Sequence, residues 1–310
     1  MDKTIKNSWR SWIACGALAV VLGGTARADE LQLLWQLPAG EGELVGTGNN
    51  ERGVAYNPVT GHVLLVSRTV GNNIYIIDGQ TGAFFGNLNL GDGIISGGIF
   101  QVSLIGVADD GAIYVGNLST STTAPFFRLY RWESETAEFP TVAFEGDPAG
   151  LNEDGSSKNP IRWGDSLDVR GAGVNTQVLL GPGGTATPAA ILTTTNGTEF
   201  TATLLAGAAE SGALGVAFGA GNTFWLNKSG LALRHLAFDL AAGTATLARS
   251  VPTTLVPTTV SPIAVNAASN WLAGINIVGG ADELRVYNIS DPDNFFVIDQ
   301  EPFPTENANG

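Results

Sequence analysis

The sequence predicts an all-β fold, a β-propeller of four-stranded blades. Three observations carry this. Glycine supplies 41 of the 310 residues, and the apolar runs between turn residues are short. Almost no stretch has helical period. A unit of four such runs recurs about every 50 residues, which is the spacing of propeller blades.

The chain opens on an expected export signal, residues 1–28. Lys3, Lys6 and Arg10 form a basic start, and residues 12–22 (WIACGALAVVL) form an apolar core too short to span a bilayer. Ala26-Arg27-Ala28 is a small-x-small cleavage site. The mature chain is expected to run from Asp29 to residue 310 as one propeller domain. Its expected location is secreted or periplasmic, without membrane insertion. Cys15 is the sole cysteine, and the signal removes it, so the mature chain has no disulfide, thiol nucleophile or thiolate metal site. Packing alone must hold it together. A chain of this length can do so, because it buries about three quarters of its unfolded surface.

The first 28 residues hold four of the 15 basic residues and one of the 29 acidic ones, which leaves 11 against 28. Such a surface repels nucleic acid and anionic lipid, and both are excluded as partners. A small molecule, a glycan or a protein remains.

Residues 31–38 (LQLLWQLP) read as a single strand ahead of the repeats. The first unit is GVAYNPVTGHVLLVSR followed by NNIYIIDGQTGAFFGNLNL. The second is IGVADDGAIYVGNL followed by FFRLYRWESETAEFPTVAFEG. The third is DSLDVRGAGVNTQVLLG followed by PAAILTTTNGTEFTATLLAG. The fourth is LGVAFGAGNTFWLNK followed by ALRHLAFDLAAGTATLARSV. The fifth is SPIAVNAASNWLAGINI followed by ELRVYNISDPDNFFVIDQEPF. Their first strands start near Val54, Val107, Leu167, Val216 and Ile263. A β-sandwich lacks repeats of this length, and a parallel β-helix has shorter coils. Five full blades are therefore expected. Either the single early strand completes a five-bladed ring, or, as the polar tail favours, a sixth blade is incomplete and the ring has a gap.

One motif invites an esterase reading. Gly164-Asp165-Ser166-Leu167 spells the nucleophile signature of a serine esterase family. It lies mid-chain, in a stretch that alternates like a hairpin. Neither His62 nor His235 has the Asp-x-x-His setting of that family's base, and a serine nucleophile needs a base within hydrogen-bond reach. The sequence around Ser96 (GIISGG) also misses the nucleophile-elbow pattern. Ser166 stays a weak candidate.

Topology gives a better lead. In a four-stranded blade, the start of the innermost strand and the end of the second lie on one face. Glu51, Arg52, Arg162, Asp165, Ser166, Glu210 and Ser211 begin blades. Ser67-Arg68, Asn117, Asn227-Lys228 and Asn276 end second strands. One mouth of the axial channel is thus expected to carry carboxylates, asparagines and arginines. Such oxygen donors suit Ca2+ or Mg2+, and Asn and Asp are also ordinary turn residues. Arg52, Arg68 and Arg162 are candidate ligand-binding residues. The acidic loop 145–160 resembles a calcium loop only in part, because Ile161 stands where the bidentate Glu belongs.

GVAYNPVTGHVLLVSR…NIYIIDGQTG resembles the blade pattern of exported bacterial propellers of the YVTN and lactonase-like kind. RWGDSLDVRG and LRVYNISDPDNF resemble segments of an uncharacterised family of secreted propeller proteins. The likeness covers most of residues 45–305. Those groups include gluconolactonase-type enzymes, which hold a divalent ion on the channel axis with Glu, Asn and Asp. The resemblance implies Glu51, Asn117, Asp165 and Asn227 as the matching metal positions, with Ca2+ as the ion. Two functions are expected from all this. The first is a ligand- or protein-binding scaffold with no complete catalytic constellation. The alternative is a metal-assisted ester or lactone hydrolase, with Asp165 or Glu51 as base. Whether the chain is an enzyme stays open at this point.

Overall fold

The computed structural model describes residues 31–40, 44–120, 126–158, 161–183, 189–207, 215–278, 282–291 and 293–302. The expected export signal lies outside these, as do Glu210 and Ser211. Among the described residues no helix is long and apolar enough to cross a membrane.

The fold is a five-bladed propeller, each blade an antiparallel four-stranded meander. Blade 1 holds β1 (Gly53–Tyr56), β2 (His62–Ser67), β3 (Asn73–Asp78) and β4 (Phe84–Asn87). Blade 2 holds β5 (Phe100–Val107), β6 (Ile113–Leu118), β7 (Phe127–Trp132) and β8 (Thr141–Gly146). Blade 3 holds β9 (Arg162–Arg170), β10 (Gln177–Gly183), β11 (Ala190–Thr194) and β12 (Phe200–Leu204). Blade 4 holds β13 (Gly215–Phe218), β14 (Thr223–Asn227), β15 (Arg234–Asp239) and β16 (Thr244–Ser250). Blade 5 holds β17 (Val260–Asn266), β18 (Trp271–Asn276), β19 (Glu283–Asn288) and β20 (Phe296–Pro302). The only helix among the described residues is one 3-10 turn, Gly173–Asn175.

The period-2 runs explain why the blades stack. In β10, Val178 and Leu180 face blade 2, while Leu179 between them faces blade 4. A strand apolar on both sides must be covered on both sides, and the neighbouring blades do this. Four apolar layers result. Blades 1 and 2 meet through Leu64, Val66, Ile105 and Trp132. Blades 2 and 3 meet through Tyr114, Phe127, Leu167 and Val178. Blades 3 and 4 meet through Leu179, Ile191, Val216 and Phe224. Blades 4 and 5 meet through Trp225, Ile263, Leu272 and Tyr287. Each fully buried side chain of this size contributes roughly 1.5–3 kcal/mol relative to exposure.

The first strands pack in succession around the axis, β1 on β5, β5 on β9, β9 on β13 and β13 on β17. No comparable packing joins β17 to β1. Residues 31–40 and 44–45 occupy that junction. Leu31 packs on Ala273, Leu284 and Val286 of blade 5. Trp35 packs on Val54, Leu65, Tyr75 and Ile77 of blade 1, and its indole N–H donates to the Gly79 carbonyl at 3.1 Å. Two expectations change here. Residues 31–38 form no strand, because their partners are side chains of two blades rather than a ladder. No sixth blade exists among the described residues.

Candidate functional site

The strand registers bring one end of every blade to a common mouth. Gly53 faces Val66, Phe100 faces Leu118, Ser166 faces Gly181, Gly215 faces Asn227, and Val260 faces Asn276. The inner ladder breaks at this end in three blades, between Phe100 and Leu104, between Arg162 and Ser166, and between Val260 and Ile263. At the opposite end these ladders run on without a shift.

In blade 1, Glu51 Oε1 accepts from the Ser67 hydroxyl at 3.0 Å, the Thr69 hydroxyl at 2.6 Å and the Gly46 N–H at 3.1 Å. The backbones of Arg52 and Arg68 are tied across the sheet to Val66 and Asn50. The Arg68 guanidinium lies 3.6 Å from the centre of the Phe100 ring. Its Nη1 is buried without a hydrogen-bond partner. Burial, and then the charge of Arg52, lower the Arg68 pKa from the usual arginine value, and Glu51 offsets part of this.

In blade 2, Asn117 is fully buried, and its Oδ1 accepts from the Arg128 N–H at 3.0 Å. Its Nδ2 has no partner. In blade 3, Arg162 closes on Asp165, with Nε at 2.9 and 2.8 Å from the two carboxylate oxygens and Nη2 bonded to Oδ1. This pair raises the Arg162 pKa. Gly164 makes the closure possible. Its φ is +95°, a conformation that side chains resist, and a Cβ there would lie 1.9 Å from the Asn117 carbonyl oxygen. Ser166 is buried in mid-strand, opposite Gly181. It sits on no strand-to-helix turn. His62 is bonded to Glu135 at 2.6 Å, and His235 stacks on Trp225 with ring centres 4.1 Å apart.

In blade 4, buried Asn227 donates from Nδ2 to the Val260 carbonyl at 2.8 Å, and its Oδ1 has no donor. In blade 5, Asn276 donates to Glu283 at 2.8 Å and accepts from the Thr259 hydroxyl at 2.6 Å. The Asn276 hydrogen bond, and then Arg285, hold the Glu283 carboxyl below its usual pKa.

The sequence-derived positions thus share one end of the molecule. The bonded oxygens of Glu51, Asn117 and Asp165 are each engaged by a protein donor; of the four, only Asn227 has a side-chain oxygen recorded as buried without a partner. Among the described residues no three His, Cys, Asp or Glu side chains are grouped together so that they could hold a metal ion. As it stands, this donor set does not fit a bound divalent ion. The acidic loop is also committed to itself. Asp147 accepts from Ala149 N–H at 2.8 Å, and Asp154 accepts from Ser156 N–H at 2.9 Å.

Phe100 was not foreseen. The bulge between Phe100 and Leu104 interrupts the apolar alternation, so the sequence shows the second blade's first strand only from Ile105. The run IFQVSLIGV was the available signal.

No known protein family matches the sequence, and no curated protein does. Many solved structures share the fold. One, from Bacteroides uniformis ATCC 8492, carries a provisional description as a 6-phosphogluconolactonase. It aligns with a TM-score of 0.50 at 11% identity, over 88% of this chain and 77% of that one. At that identity the likeness is one of fold.

Proposed function

We propose that this protein is an exported propeller that binds a ligand at the axial mouth, and that it acts as a binding module. The observation that carries the reading is the bulging of three inner strands at one end only. A bulge removes ladder bonds and re-aims side chains, and bulges gather at barrel rims and beside sites. The third-to-fourth strand bulges differ, since they recur in blades 1, 2, 4 and 5 as a trait of the repeat. The mouth carboxylates described above are held by neighbouring donors, which suits recognition better than proton transfer. The test is a thermal-shift screen of small molecules and glycans. A ligand should raise the melting temperature by mass action. Gln101→Trp, which adds bulk at the mouth, should abolish the effect, and Thr60→Trp at the other end should leave it. A ligand insensitive to Gln101→Trp contradicts the reading.

A metal-assisted ester or lactone hydrolase is the second reading. It draws on Asn227 Oδ1, an oxygen donor buried without a partner, and on the description given to the Bacteroides structure. It requires Glu51 and Asp165 to leave their present partners. Ca2+-dependent lactone turnover that Asp165→Asn abolishes would establish it. An unchanged melting temperature in EDTA would count against it.

A further inference from the structure

The chain carries a net charge of −14, yet two arginines at the mouth form no ion pair with a carboxylate among the described residues. They are Arg52 and Arg68, side by side, and they repel one another. The nearby carboxylate, Glu51, spends Oε1 on Ser67, Thr69 and Gly46. Arg68 is held in place by the Phe100 ring, which supplies cation–π attraction and no hydrogen-bond acceptor. Its Nη1 is buried and unpartnered, and an unmade bond on a buried donor is costly. Arg52 is exposed next to it. A group with two or more oxygens and negative charge would relieve both the repulsion and the missing bond. Guanidinium forks match carboxylate and phosphate in shape as well as charge.

We propose that Arg52 and Arg68 form an oxyanion site that takes the carboxylate or phosphate group of a small ligand. This rests on the mouth-binding reading and adds the chemical class of the ligand. Phe100, delivered by the bulge in β5, fixes the Arg68 plane. Arg162 takes no part, because Asp165 already fills its fork.

Isothermal titration calorimetry of the purified protein at low ionic strength, where screening is weakest, tests it. Inorganic phosphate is the probe in one arm and malonate in the other, and the arm that binds tells phosphate from carboxylate chemistry. Arg68→Met keeps an apolar stem on Phe100 and should weaken binding by about ten- to a hundred-fold. Arg52→Gln, at an exposed position where folding is not at stake, should weaken it by a smaller factor. Arg162→Met should leave it unchanged. The proposal is overturned if neither probe binds the wild type, or if both Arg52→Gln and Arg68→Met bind as the wild type does. A neutral ligand that stabilises the wild type and is lost in Gln101→Trp, with no oxyanion binding, would end this proposal and leave the mouth reading intact.

Discussion

Blades 1 and 3 each bring an arginine to the same mouth, and the two are in opposite states. Arg162 is closed on Asp165 three residues along its own strand. Arg68 lies on Phe100 with Nη1 buried and unpartnered, and it forms no ion pair with a carboxylate among the described residues. The difference is local. Gly164 turns β9 back at φ +95° so that Asp165 meets Arg162. In blade 1, hydroxyl and backbone donors hold Glu51 instead. A residue type at a repeated position therefore does not state its availability. An arginine closed by its neighbour is part of the scaffold, and one without such a partner is the candidate for a ligand.

The largest effect breaks the closed side of this comparison. Gly164→Ala sets a side chain in a left-handed conformation and drives it into the Asn117 carbonyl. Chemical denaturation should show a loss of about 3 kcal/mol or more. An unchanged midpoint would mean that the turn is not rigid. Next, Asp165→Asn frees Arg162 and should create a second, weaker oxyanion site, seen as a rise in calorimetric stoichiometry. Stability should change by less than about 1 kcal/mol, because Arg162 is half exposed. Unchanged stoichiometry would show that pairing is not what separates the two arginines.

The smallest effect serves as a reference outside the mouth. Burial, and then Arg249, lower the His235 pKa from the ordinary value of 6.5. The unfolded chain therefore takes up the proton first. This contribution to stability is complete above about pH 6.5 and is lost as pH falls toward the folded value. His235→Gln should flatten that slope. Malonate affinity should stay level above about pH 6.5, where the probe is a dianion and arginines do not titrate.

The blades were legible because both faces of the inner strands are apolar, and that pattern is written in runs such as HVLLVS and TQVLL. Residues 31–38 misled because an apolar segment wedged between two blades has the composition of a strand. Leu31 and Trp35 contact different blades, and only the closed ring shows that. The mouth positions followed from topology alone. Their partners did not. The closure of Arg162 depends on one backbone angle, and the openness of Arg68 depends on which donors reach Glu51 first. Asn117 and Asn227 look like ordinary turn residues in the sequence, yet the structure buries both.

The most direct measurement is a crystal structure of the protein grown with malonate or phosphate at low salt. The account predicts an oxyanion bridging Arg52 and Arg68, about 2.8 Å from Arg68 Nη1, with Arg162 still on Asp165. A structure in which Arg68 Nη1 meets only water or a protein carbonyl, with the anion absent or seated at Arg162, would contradict it.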